Sequence, residues 1–191
     1  MEIILASTSP YRREQLQRIV SDFESLPPGI DEDSFKDSIT DPHQLAQKLS
    51  YEKARSVLDK RPNAFVIGGD QVLSIEGEIL GKPGTEQKAI QQLQRLSGKT
   101  HQLITATTYM SANFCETITI VAKMKMRSLK SDQIESYIKK ESPLGCCGSY
   151  MLEHSGIALF ESIECEDYTA IIGLPLMSSA SVLMKNGLSI F

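Results

Sequence analysis

Residues 2–14 read Glu2-Ile3-Ile4-Leu5-Ala6-Ser7-Thr8-Ser9-Pro10-Tyr11-Arg12-Arg13-Glu14. Residues 2–6 form a short apolar run and predict a strand. Three small hydroxyl residues follow. Ser9-Pro10 then opens a helix, with Ser as N-cap and Pro at the first helical position, where its missing N–H costs nothing. Leu16, Ile19 and Val20 give that helix one apolar stripe. Arg12 and Arg13 fall in its first turn. Helix N-termini present free N–H groups and a partial positive charge, so arginines weaken this end unless an anion binds there. A solvated basic turn is the competing reading.

Outward from this strand–helix unit, the chain keeps alternating between the two periods. A second short strand is predicted at 23–26, then a polar loop over 27–40 that carries the acidic run Asp31-Glu32-Asp33. Asp41-Pro42 caps a helix with Leu45, Leu49, Ala54, Val57 and Leu58 at helical spacing. Residues 64–75 are strand-like but interrupted by Gly68-Gly69, and Glu76-Gly77 turns the chain back. A helix is predicted over 85–96 and strands over 101–109 and 116–126. In the last of these, Ile118, Ile120, Ala122, Met124 and Met126 alternate on one face. Ser131 opens a further helix. A Gly-rich loop, a strand over 156–164 and a helix from Pro175 to Gly187 complete the chain. Interleaved strands and helices predict an α/β fold with a mixed, twisted sheet and flanking helices.

With 191 residues the sequence predicts a single domain over 1–191. Apolar residues at 41% and charged residues at 23% exclude wholesale disorder. No apolar run reaches the ~20 residues of a membrane span, so no membrane partner is expected. The basic pair follows the apolar run at the N-terminus instead of preceding it. That is unlike a signal peptide, and a cytoplasmic location is expected. The net charge of −4 argues against polymeric nucleic acid as a partner. It leaves room for a small phosphorylated ligand held by a local basic cluster. Oligomeric state, including a homodimer, is not given by the sequence. Cys115, Cys146, Cys147 and Cys165 lack zinc-site spacing and read as reduced, mostly buried thiols.

Three motifs fail on inspection. Gly98-Lys99-Thr100 matches the tail of a P-loop, but Leu93 stands where the motif needs Gly and a strand follows where it needs a helix. His43, His101 and His154 lack metal-ligand spacing and read as surface or hydrogen-bonding residues. No G-x-S-x-G elbow exists, so serine nucleophile chemistry has no support.

Two features survive. Asp70 follows Gly68-Gly69 directly after an apolar run, which places it at a strand end, where α/β folds set their sites. The glycines allow a ligand or another backbone to come close. The alternative is an Asp in a turn. Lys53, on the helix after Asp41, and Lys82, in Gly81-Lys82-Pro83, are surface lysines by default. With Arg12 and Arg13 they supply four positive charges suited to a triphosphate. Glu32 and Asp70 are oxygen ligands suited to Mg²⁺ or Mn²⁺, hard ions that bridge phosphates.

These residues, taken together, resemble a known family. Residues 5–16, LASTSPYRREQL, are similar to the opening signature of the Maf family of nucleoside triphosphate pyrophosphatases. The similarity continues through Asp31-Glu32, Glu52-Lys53-Ala54, GGDQV at 68–72, Gly81-Lys82-Pro83, LSGKTH at 96–101, GSY at 148–150 and GLPL at 173–176. The resemblance implies two lobes around a central cleft, a divalent metal cofactor, and Asp70 as proton acceptor. One branch of the family hydrolyses dTTP and UTP; its motif usually reads G-A-D-T, with Arg at the position of Tyr11. The loop CCGSYMLE is more similar to the branch that hydrolyses N7-methyl-GTP. There the positions of Tyr11, Gln71 and Glu153 set substrate choice. The expected reaction is 7-methyl-GTP to 7-methyl-GMP and pyrophosphate. The alternatives are the dTTP/UTP activity and a non-catalytic nucleotide sensor acting on cell division. The charged 7-methylguanine ring suits Tyr11 as a cation–π partner, and its N1–H and amine suit Glu153 as acceptor.

Overall fold

The computed structural model describes residues 1–190. Among these, seven strands form one mixed sheet: β1 (Ile3–Ala6), β2 (Glu24–Ser25), β3 (Phe65–Ile75), β4 (Glu78–Leu80), β5 (Thr100–Ser111), β6 (Phe114–Met126) and β7 (Phe160–Glu164). The order is β2-β1-β3-β5-β6-β7, with β4 paired to β3. β1 runs parallel to β2 and β3; the remaining pairs are antiparallel. Helices α1 (Pro10–Gln17), α2 (Glu32–Lys36), α3 (Pro42–Leu58), α4 (Glu86–Leu96), α5 (Ser131–Glu141) and α6 (Leu176–Lys185) flank it. No helix among the described residues is long and apolar enough to cross a membrane.

The long strands run through two lobes. β3 begins among Phe65, Val66 and Ile67, packed with α1, α3 and α6 side chains such as Leu16, Ala54 and Leu183. It ends among Leu73 and Ile75, packed with Leu93 of α4 and Ile138 of α5. Between these clusters lie Gly68, Gly69, Asp70 and Gln71. On one side β3 is paired to β5 from Val66 to Ser74. On the other, β1 stops at Ala6 opposite Gly68, and β4 reaches only as far as Leu80, its last residue, opposite Leu73. Residues 69–72 therefore face a gap in that edge of the sheet, and the cleft opens there.

This corrects the sequence reading at Asp70. The glycines do not interrupt β3, and Asp70 lies in mid-strand, because β5 carries the ladder past them. The strand end that makes the site is that of β1. Three further boundaries differ. The loop at 27–40 contains α2, whose N-cap is Asp31 accepting from Asp33 N, with Glu32 and Asp33 in a first turn that favours negative charge. The last strand is shortened to Phe160–Glu164, because residues 155–159 form a 3-10 turn whose Gly156 N–H bonds Met151 O instead of a neighbouring strand. The last helix starts one residue later, with Pro175 as its N-cap, and ends at Lys185.

The four cysteines are free, but Cys115 is exposed and the others only half-buried. They lie near the β5–β6 turn, in a cleft loop and beyond β7; Cys147 and Cys165 pack against the hydrophobic core, and exposed Cys115 departs furthest from the expected burial. His101 is buried, its Nε2 3.0 Å from Tyr150 Oη, and burial pushes its pKa down to about 4. His154 Nδ1 sits 3.1 Å from Glu141.

Candidate active site

The period of a strand sets the site's polarity: alternate residues point to opposite faces. Gly68 and Asp70 face α3. A Cβ on Gly68 would stand 2.5 Å from Ser50 O and 2.6 Å from Ala54 N, so the helix rests on bare backbone. That approach brings Lys53 to Asp70: Lys53 Nζ donates to Asp70 Oδ1 at 2.7 Å. The same ammonium lies 2.8 Å from Glu32 Oε1, tying α2 to the pair. Gly69 and Gln71 face the opposite side. The Arg12 side chain lies over Gly69, its Nε 3.2 Å from where a Cβ would be, and Nε donates to Gly173 O at 2.9 Å. Each glycine thus makes room for a different basic residue.

Burial pushes the Asp70 carboxyl upward, against the pull of Lys53 and Arg12. Glu32 moves the other way. Burial alone would raise it, but the Lys53 hydrogen bond and the charges of Lys53, Lys36 and Lys82 hold it below the usual carboxylate value. The two acids therefore differ in proton affinity while sharing one cation.

A cavity of about 700 Å³ opens beside them. Of the residues singled out in the sequence, Tyr11, Arg12, Glu32, Lys53, Asp70, Gln71, Lys82 and Glu153 line it. Arg13 does not: it is exposed on α1 and stands outside the lining. α1 enters at its N-terminus. Ser9 Oγ accepts from Arg12 N, Ser7 Oγ accepts from Ser9 N, and the first turn holds no acid. Lys82 sits on a loop pinned by Gln92 donating to Gly81 O and by Gly84 N donating to Leu144 O.

The far wall is the 142–153 loop, clamped from behind. Ser149 Oγ donates to Gln92 Oε1 at 2.6 Å, and Tyr137 Oη accepts from Met151 N at 3.0 Å. Tyr11 Oη donates to Met151 Sδ at 3.3 Å. Burial raises the Tyr11 phenol, helped by Cys146 and by the negative charge of Glu153. The fold thus brings Glu153 into the same cavity lining as Tyr11 from 142 positions away. Gln71 is more committed than the sequence suggests. Its Nε2 bonds Thr105 Oγ1, Ala170 O and Ile171 O at 2.9–3.0 Å, which leaves only the amide oxygen to offer a ligand. Tyr150 is the second aromatic residue of the lining, but it is buried against Phe160 and His101.

Sequence reasoning missed Lys36, Cys146 and Met151, all in the lining. Lys36 was legible only through α2: it lies four residues after Glu32 and pairs with it at 3.7 Å.

The family described as "Maf-like protein" matches residues 2–186. The chain belongs to the Maf family. Among curated relatives of this Maf chain, the 7-methyl-GTP pyrophosphatase of Bdellovibrio bacteriovorus is 43% identical over 182 residues, covering 95% of each chain. The 7-methyl-GTP pyrophosphatase of Aromatoleum aromaticum is 42% identical and covers 98% of this chain and 96% of its own. That of Aliivibrio fischeri is 40% identical and covers 99% and 98%. Among solved structures, the Ham1 protein of Staphylococcus aureus aligns with a TM-score of 0.50 at 15% identity, covering 82% of this chain and 90% of that one. A HAM1 protein from Coxiella burnetii gives the same TM-score and identity over 97% and 99%. These two likenesses concern the Maf chain's fold alone.

Proposed function

We propose that this protein hydrolyses nucleoside triphosphates between the α and β phosphates, with 7-methyl-GTP as preferred substrate, giving 7-methyl-GMP and pyrophosphate. The observation that carries the reading is the cavity's composition. One lining holds the cations Arg12, Lys36, Lys53 and Lys82, of which Lys53 and Arg12 act on the buried Asp70, together with Tyr11 and Glu153, whose charge acts on the Tyr11 phenol. The names of the relatives, at 40–43% identity over nearly the whole chain, support the same substrate.

The phosphates would lie at the N-terminus of α1, where free N–H groups and Arg12 meet them. Water would attack the α-phosphorus as the bond to the bridging oxygen breaks and pyrophosphate leaves. Asp70 Oδ1 is held by Lys53, so Oδ2 is the oxygen left either to take the water's proton or to bind a metal ion. Arg12 and the lysines stabilise the negative charge growing on the leaving pyrophosphate. Tyr11 and Glu153 suit a cationic purine with donors on its edge better than a neutral pyrimidine.

The donor set fits a divalent ion of the Mg²⁺ or Mn²⁺ kind. Glu32 and Asp70 are hard oxygen ligands, and both already share one cation, the Lys53 ammonium. No group of three or more His, Cys, Asp or Glu side chains that would hold a metal occurs among the described residues, so the other ligands of an ion on these two carboxylates would have to come from substrate phosphates and water. Glu32 and Asp70 would hold it, and when bound it supplies charge that neutralises the phosphates.

The test is pyrophosphate release by the purified protein from 7-methyl-GTP, GTP, UTP and dTTP, with Mg²⁺ or Mn²⁺ and after chelation. The expected result is highest kcat/KM for 7-methyl-GTP and loss of turnover with chelator. Preference for UTP or dTTP would assign the other branch, and no pyrophosphate from any nucleotide would reject the enzyme.

A further inference from the structure

The turn at 167–174 contributes Ile171, Ile172 and Gly173 to the cavity lining, and side chains donate to most of its backbone carbonyls. Gln71 and Thr105 donate to Ala170 O, and Gln71 also to Ile171 O. Arg12 Nε donates to Gly173 O. Gln15 Nε2 donates to Thr169 O at 2.7 Å and to Leu174 O at 3.3 Å. Gln15 therefore spans the turn and grips it on both sides of Gly173. Gly173 has φ +130°, a conformation that favours glycine, and its carbonyl direction depends on how the flanking residues are held.

Gln15 is itself buried, and its Oε1 has no hydrogen-bond partner among the described residues. A buried, unpaired amide oxygen is costly. A fully apolar residue would avoid that cost at this place, between Leu16 and the Leu174–Leu176 cluster. What glutamine adds is a two-pronged donor aimed at two carbonyls. It lies one helical turn after Arg12 on α1, so the helix that presents Arg12 also fixes the acceptor that orients it.

We infer that Gln15 is a positioning residue for the phosphate end of the site: it holds the 169–174 turn so that Gly173 O locks Arg12 Nε and leaves the rest of the guanidinium fork to the triphosphate. This deepens the function proposed above and rests on it. A locked fork matters because a planar donor set recognises phosphate oxygens only when its plane is fixed.

The experiment is a double-mutant cycle between Gln15→Met, an apolar residue of similar length, and Arg12→Lys, read as kcat/KM for 7-methyl-GTP and for UTP. Gln15→Met is expected to lower kcat/KM about tenfold for both nucleotides, since it acts on the phosphates and not on the base. In the Arg12→Lys background, where the Nε–Gly173 lock is already gone, the same change should cost less than twofold. Thr105→Val, which removes one of the two side-chain donors to Ala170 O and leaves Gln71 as the other, is the second variant should Gln15→Met fail to fold, and the same shortfall from additivity is expected. Full, independent losses in both backgrounds, or unaltered kcat/KM in folded Gln15→Met protein, would overturn the role of Gln15 while leaving the enzyme intact. A wild-type protein that releases no pyrophosphate from any triphosphate would reject both.

Discussion

Lys53 Nζ and Asp70 Oδ1 meet at 2.7 Å in a site where both side chains are about nine-tenths buried. The lysine read from sequence as a phosphate ligand is, in the free protein, the counter-ion of the candidate catalytic acid and of Glu32. Breaking such a pair leaves an uncompensated buried charge. Lys53→Met should lose about 3–5 kcal/mol of stability at neutral pH. The deficit should shrink on acidification, because a protonated Asp70 no longer needs a cation. Urea denaturation at several pH values reads both effects, and a variant as stable as wild type at pH 7 would show that the pair contributes nothing.

Asp70→Asn is nearly isosteric and keeps an acceptor for Lys53. The fold should persist while turnover falls by ~10²-fold or more, the scale for a lost acid–base group. Circular dichroism with pyrophosphate release checks this, and near-normal turnover in folded protein would remove Asp70 from the chemistry.

The two neighbouring glycines should fail in different ways. Gly68→Ala drives a methyl into the α3 backbone, which cannot yield without moving the helix. It should cost about 1–3 kcal/mol of stability or more, as overpacking does. Gly69→Ala meets only the Arg12 side chain, at 3.2 Å. It should leave the melting temperature nearly unchanged while lowering kcat/KM for every triphosphate. Equal effects of the two on stability would contradict the close-approach argument.

His101 predicts a pH dependence of stability. Burial lowers its pKa from 6.5 to about 4, so between those values the unfolded chain binds a proton that the folded chain does not. Stability contributed by the neutral ring is complete above pH 6.5 and is lost as pH falls toward 4. Between pH 7 and pH 5 the loss should be about 2 kcal/mol, at 1.36 kcal/mol per unit. His101→Leu should remove that slope; an unchanged slope would assign the acid sensitivity to other groups.

Glu153→Ala tests substrate choice. Glu153 lines the same cavity as Tyr11, and its negative charge acts on the Tyr11 phenol. The ratio of kcat/KM for 7-methyl-GTP to that for UTP should fall by about tenfold or more, the scale of one hydrogen bond to a charged group. A constant ratio would leave selectivity to Tyr11 and the Gln71 amide oxygen.

Much of this was local and therefore legible from the chain alone. The Ser9-Pro10 helix start, the alternation of 116–126, the cap at Asp41 and the Glu76-Gly77 turn each depend on a few adjacent residues, and all stand in the structure. The family motifs marked the lining in advance at Tyr11, Lys53, Asp70, Lys82 and Glu153. Even α2 had its signal, since Asp31-Glu32-Asp33 is an N-cap with acids in the first turn.

What tertiary structure decided was who faces whom. Asp70 reads as a strand-end acid until β5 is seen to carry β3 onward, while β1 stops short beside it. Arg12 and Arg13 are equivalent in sequence, yet only Arg12 reaches the cavity, because one step along a helix turns a side chain by about 100° and the turn at Gly173 catches the first of them. Lys53 has no sequence mark that sets it between Glu32 and Asp70; that depends on a missing Cβ at Gly68, fifteen residues on. Local sequence determined the elements because helix and strand propensities act over a few residues. The charge pairing of the site was decided by packing, because it depends on distances between elements that no local preference controls.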